Sequence, residues 1–151
     1  FFKENKLKFI FLITSLIIIT LVIILLKINY EKKNKIISEK YITAGLYLSS
    51  DQKKAKKLYE EIILSENKFY SALALNTLLE KNLEDEKIKI LNYFQILEKI
   101  NLSKDQEDLI MIKKALYLMK NSEQVEGLKL LKKMINDNSK FKQIAESILV
   151  E

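Results

Sequence analysis

Cysteine, histidine, arginine, tryptophan and proline are all absent from this chain of 151 residues, and glycine occurs only at Gly45 and Gly127. Without cysteine there is no disulfide and no thiol chemistry. Without histidine the usual zinc sites and the commonest general base are missing. Carboxylates stand side by side at Glu60-Glu61 and at Glu84-Asp85-Glu86, but adjacent helix positions point in different directions. No nucleophile–base pair, glycine-rich phosphate loop or metal-ligand spacing is visible. The chain is therefore expected not to be an enzyme, and to need no cofactor, metal or small-molecule substrate. With no proline and two glycines there is little to break a helix and little to signal a β-turn. No stretch alternates with period two for long enough to make a strand.

Against these absences stands one long apolar run. Phe9 to Leu26 reads FIFLITSLIIITLVIILL, eighteen positions with no charge. As a helix they rise roughly 27 Å, which with their flanks crosses a hydrocarbon core of about 30 Å. Thr14, Ser15 and Thr20 can bond back to helix carbonyls, so they dilute the apolarity at small cost. A small domain could not wrap an all-round apolar helix. A cleaved signal peptide would end its apolar region in small residues, whereas Leu25-Leu26-Lys27-Ile28-Asn29-Tyr30 follows here. The run reads as an uncleaved anchor in contact with the lipid bilayer. Phe1, Phe2, Lys3, Lys6 and Lys8 suit one interface, and Lys27 and Tyr30 the other.

The net charge is +6, and about half of it belongs to residues 1–27. The remaining excess is mild and interspersed, unlike the basic stripe with interleaved aromatics of a nucleic-acid platform, so no nucleic acid is expected as a partner. Lys27, Lys32, Lys33, Lys35 and Lys40 follow the span and Lys3, Lys6 and Lys8 precede it. Taken literally, that count leans weakly towards a cytoplasmic C-terminal domain.

The sequence divides into an N-terminal flank (1–8), a transmembrane helix (9–28), a juxtamembrane helical stalk (29–40) and a helical domain (41–151). Apolar positions recur at helical spacing through Ile37, Tyr41, Ala44 and Leu48. A second set is Ala55, Leu58, Tyr59, Ile62 and Ile63, with Lys53, Lys54, Lys56 and Lys57 opposite. Phe69, Ala72, Leu73, Leu75 and Leu79 mark a third helix. Ile88, Leu91, Phe94 or Ile96, and Leu97 mark a fourth. Leu109, Ile112, Leu116 and Met119 mark a fifth. Val125, Leu128, Leu131, Met134 and Ile135 mark a sixth, and Phe141, Ile144, Ala145, Ile148 and Leu149 a short seventh. Expected caps are Asp51, Asn121-Ser122 and Asn138-Ser139, and Ser103 with Gln106 spells a capping box. The expected class is all-α, with one N-terminal transmembrane helix followed by an α-hairpin array of about seven helices.

A shift of 72 residues aligns the chain with itself. Ala55 meets Gly127, Leu58 meets Leu130, Tyr59 meets Leu131, Ile62-Ile63 meet Met134-Ile135, and Phe69 meets Phe141. Ile88, Leu91 and Ile96, about 33 residues after Ala55, Leu58 and Ile63, suggest a degenerate middle unit. Two helices per unit at this period is the tetratricopeptide pattern. Small residues let neighbouring helices approach and large ones fill the next gap. Ala44, Ala55, Tyr59, Ala74, Ala115, Gly127, Leu131 and Ala145 are the expected repeat-packing residues. Tyr41, Tyr47, Tyr70 and Tyr117 are candidates for partner contacts, since a tyrosine buries its ring and keeps its hydroxyl wet.

FFKENK before a single span, YITAGLYLSSDQKKAKKLYEEII (Tyr41 to Ile63), ENKFYSALALNTLLEKN (Glu66 to Asn82) and SKFKQIAESILVE (Ser139 to Glu151) together resemble a bacterial family, the tetratricopeptide-like ancillary subunit of the SecYEG translocon. The tryptophan, the Leu-Gly pair and the terminal proline of a full repeat motif are missing. The resemblance implies a single-pass inner-membrane protein with its N-terminus in the cytoplasm and its repeats in the periplasm. There it would assist secreted proteins beside the SecYEG translocon and a membrane-anchored periplasmic chaperone. That topology is preferred here to the lysine count. The family implies no catalytic residues. The alternative is a structural or assembly subunit of another cell-envelope membrane complex.

Overall fold

Between Lys6 and Tyr47 no proline interrupts the backbone, and the one glycine, Gly45, falls in the last turn. The computed structural model, which describes residues 6–137 and 139–150, accordingly has one continuous helix there, α1 (Lys6–Tyr47). Span, stalk and first soluble helix are a single element. The flanking residues Phe1, Phe2 and Lys3 lie outside the described residues. Every side chain from Lys8 to Lys33 is exposed, and α1 is long and apolar enough to cross a membrane. Thr14 and Thr20 donate their hydroxyls to the carbonyls of Ile10 and Leu16, at 2.7 and 2.8 Å. Both are thereby satisfied within the helix.

The chain separates into two units, one up to Glu39 and one from Lys40 onward. The second contains the last turns of α1 and six further helices: α2 (Gln52–Leu64), α3 (Tyr70–Glu80), α4 (Lys87–Lys99), α5 (Lys104–Lys120), α6 (Gln124–Asn136) and α7 (Lys142–Val150). No strand occurs among the described residues. Helices α2 and α3, α4 and α5, and α6 and α7 pack pairwise, α5 also packs on α6, and α4 touches α2 and α3.

Caps and turns set the helix limits. Asp51 accepts the Lys54 amide at 3.0 Å and opens α2. Ser103 and Gln106 form the expected capping box at α5. Asn121 and Ser122 do not cap α6, as the sequence suggested; its N-cap is Glu123, which makes no side-chain cap bond. They close α5 instead. Glu66, Asn82 and Ser122 all have positive φ (53°, 47° and 65°), just past α2, α3 and α5. After α3, Asn82 N–H bonds to Leu79 and Leu83 N–H to Leu78. After α5, Glu123 N–H bonds to Leu118. These are Schellman closures, which satisfy orphan carbonyls through the main chain. Of the expected Asn138-Ser139 cap, Asn138 lies outside the described residues. The Ser139 hydroxyl accepts the Phe141 amide at 3.0 Å.

The core is regular in register. Ala55, Tyr59 and Ile62 of α2 are buried, as are Ile90, Phe94 and Leu97 of α4, and Gly127, Leu131 and Met134 of α6. The second set lies 35 residues after the first and the third 37 residues after the second. The overall shift of 72 therefore describes the buried face, but the middle spacing of 33 does not. It placed Ile88 in the core, where the structure leaves it 83% exposed. Phe69, Leu109, Leu116, Val125 and Ile144, expected on buried faces, are also exposed. In their place Ser71, Leu78, Ile90, Tyr93, Ile110 and Leu118 face inward.

The helices cross on small residues. Ala44, Ala55, Ala74, Ala115 and Ala145 are fully buried, and Ser71 donates its hydroxyl to the Ile62 carbonyl at 2.9 Å. The tightest crossing is at Gly127. A methyl group there would overlap Met119 Cγ and lie 2.7 Å from the Ala115 carbonyl oxygen. At Gly45 the nearest atom would be the Tyr59 hydroxyl, at 3.8 Å. Gly127→Ala should therefore destabilise the protein by about 1–3 kcal/mol through overpacking. Gly45→Ala should stabilise it by up to about 1 kcal/mol through helix propensity. Thermal melts of the detergent-solubilised chain followed by circular dichroism test the pair. Equal shifts in the same direction would refute the close approach of α5 and α6.

Candidate functional site

Helices α3 and α5 face each other across α4 and leave a groove along the second unit. One end is an apolar hollow of about 270 Å³. Phe69, Leu73 and Leu109 stand on its walls, and Phe94 and Leu97 of α4 are among the residues beneath. Phe69 is 58% exposed and Leu109 43%. The other end is a polar hollow of about 460 Å³ whose lining includes Glu80, Glu84, Asp85, Tyr117, Lys120 and Asn121. Asn76 and Lys113 line both hollows. Lys113 donates to Asn76 Oδ1, and Asn76 donates to Glu80 Oε1 at 2.6 Å. A hydrogen-bonded strap thus joins α3 to α5 between the apolar and polar ends.

Two carboxylates of the polar end, Glu80 and Glu84, are held by specific partners. Glu84 is buried, 3.0 Å from Lys56 Nζ and 3.6 Å from Lys89 Nζ, and it accepts the Glu86 amide at 3.0 Å. Burial pushes its carboxyl upward, but the Glu86 amide and the two lysines outweigh that and hold it below its ordinary value. Glu84 is therefore a structural anion. Lys56, placed by the sequence opposite the apolar face of α2, is partly buried and is committed to this pair. Burial and the neighbouring Glu60 carboxylate raise the pKa of Tyr93, whose hydroxyl donates to Glu60 at 3.0 Å. Tyr117 is raised chiefly by burial.

All eight expected packing residues, Ala44, Ala55, Tyr59, Ala74, Ala115, Gly127, Leu131 and Ala145, are buried. The four tyrosines offered as partner contacts are half-buried and mostly occupied. Tyr41 sets its ring edge-on to Tyr59 at 5.6 Å and tilted against Tyr70 at 5.7 Å, with its hydroxyl 3.3 Å from Thr77 Oγ1. The Tyr47 ring lies under Lys54 Nζ at 3.9 Å and its hydroxyl accepts from that ammonium at 2.7 Å. Of the four, Tyr117 alone lines the groove. Its ring packs on Phe94 with centroids 6.1 Å apart. Sequence reasoning did not select Asn76 or Lys113. A polar residue on each of two apolar-patterned helices was the signal available.

A second buried anion ties α5 to the turn before α7. Asp108 is 2% exposed. It accepts from the Ser139 hydroxyl and pairs with Lys104 Nζ at 3.0 Å. Burial alone would raise its pKa, but the Ser139 hydroxyl and the Lys104 ammonium together lower it.

Compared with known proteins, the chain matches no family model, no curated protein and no solved structure.

The Asp108 site fixes a pH dependence. Its folded-state pKa is depressed, so the unfolded chain binds the proton more tightly. Its contribution is complete above about pH 4, the ordinary carboxylate value, and is lost as pH falls through the lower folded value. Asp108→Asn should cost about 1–3 kcal/mol at pH 7. The gap to the unaltered chain should narrow on acidification below about pH 4, measured by denaturant unfolding across pH. A gap that stays constant down to pH 2 would show that the Asp108 charge contributes nothing.

Proposed function

We propose that this protein is a membrane-anchored scaffold that holds segments of other polypeptides and performs no catalysis. The observation that carries the reading is the α3/α5 groove, whose apolar end leaves Phe69 and Leu109 open to solvent. Such a hollow suits the apolar side chains of an unfolded or partly folded chain, which bury their surface there while the strap and polar rim stay hydrated. The run Phe9 to Leu26 supplies the anchor. The recurrence of buried positions at 35 and 37 residues, in helices that pack pairwise, supports a tetratricopeptide-like stack.

The occupant is a secreted protein emerging from a translocation channel. That part rests on the sequence resemblance to the ancillary subunit of the SecYEG translocon, with a membrane-anchored periplasmic chaperone as neighbour. In this reading the helical domain is periplasmic and the N-terminus cytoplasmic. A second reading, an assembly subunit of another envelope complex, is favoured by one observation. Ile88 and Val125 begin α4 and α6 at equivalent positions outside the groove and are 83% and 66% exposed, while Lys87 and Glu123 beside them form an ion pair.

A photocrosslinking amino acid at Phe69, in membranes carrying a translocation-arrested secretory precursor, separates the two. The groove reading expects a crosslink to the precursor that falls about tenfold in Leu109→Glu, as loss of ~1.4 kcal/mol of apolar contact requires. It expects no such change in Ile88→Glu. Absence of the precursor crosslink, or equal labelling from an exposed control position such as Lys57, would overturn it.

A further inference from the structure

The segment of α1 just beyond the apolar run carries more positive charge than the protein itself uses. Between Lys27 and Lys35 there are four lysines and one acid, Glu31. Lys35 lies 4.0 Å from Glu39. Lys27, Lys32 and Lys33 make no ion pair among the described residues, and all three are exposed. The next lysine, Lys40, differs: its ammonium is bound to Glu61 at 2.7 Å.

Helix geometry arranges the three unpaired groups. At about 100° per residue, Lys32 and Lys33 lie roughly 140° and 240° around the axis from Lys27. Three ammonium groups thus point outward at near-equal angles. Axially they span about 9 Å, close to the roughly 5–8 Å depth of one headgroup layer. Lysine stems are long and flexible enough to bring all three charges to the phosphate plane. With Glu31 counted, and Lys35 offset by Glu39, the collar carries a net charge of about +2.

We propose that this collar selects anionic phospholipids, so that the anchor sits in a shell of lipids whose headgroups carry net negative charge. The proposal rests on α1 spanning a bilayer and not on the peptide-holding groove. A zwitterionic headgroup brings its own cation beside the phosphate and neutralises the attraction. An anionic headgroup does not, and each lysine it meets near the surface is worth about fivefold in association.

The absence of tryptophan makes the test direct. Tyr30 is exposed and lies within the collar, so Tyr30→Trp installs a single reporter there. The full-length variant is reconstituted into phosphatidylcholine vesicles containing phosphatidylglycerol, with bromine-labelled acyl chains on one lipid or the other. Quenching by brominated phosphatidylglycerol should show an association at least about threefold stronger than by brominated phosphatidylcholine at low salt. That preference should fade in 1 M salt, where the Debye length is only about 3 Å, and in the added triple variant Lys27→Gln, Lys32→Gln, Lys33→Gln. Equal quenching by both lipids, or a preference unchanged in the triple variant, would overturn the collar and leave the anchor standing. No quenching by either lipid would overturn the anchor and the collar together.

Discussion

The distance at which helices can approach one another governs this protein. At Gly127 the α5 and α6 backbones come so near that a single methyl group has no room. The same economy of volume recurs at Ala44, Ala55, Ala74, Ala115 and Ala145, all fully buried. Close crossings let larger side chains fill the space beside them, as Leu131 and Met134 do around Ala115 and Ala145, and dispersion and apolar burial accumulate from there. The groove is the complement of that arrangement. Where α3 and α5 are kept apart by α4, the larger residues Phe69 and Leu109 remain partly at the surface, Phe69 with its ring edge-on to Tyr70.

Much of this was legible in the sequence, because local rules act locally. The Ser103–Gln106 box and the Asp51 cap marked helix starts, and the apolar run of α1 marked itself. The small-residue set was legible as well, since Ala55 and Gly127 head equivalent faces 72 residues apart. Side-chain direction was read less well. Ile88, Leu109 and Val125 are as apolar as the core residues beside them, so periodicity alone could not tell a core face from a groove wall or an exposed helix start. A two-residue error in the middle spacing, 33 instead of 35, moved the inferred α4 face from Ile90 and Phe94 to Ile88.

The buried anions were the least visible part. Glu84 and Asp108 sit in charged stretches that look like ordinary surface, and burial of a carboxylate costs free energy unless partners arrive. Some of those partners come from distant positions: Lys56 lies 28 residues before Glu84, and Ser139 lies 31 residues after Asp108, beyond α6. No local pattern announces these long-range pairs, although Lys104 stands four residues before Asp108 on the same helix. The candidate groove was hidden for a related reason, because its strap joins Asn76 to a lysine 37 residues later.

Three helix ends turn on Glu66, Asn82 and Ser122, residues of unlike chemistry that share a left-handed backbone. Amide-to-carbonyl bonds hold these corners, so residues other than glycine occupy them at the cost of a left-handed backbone.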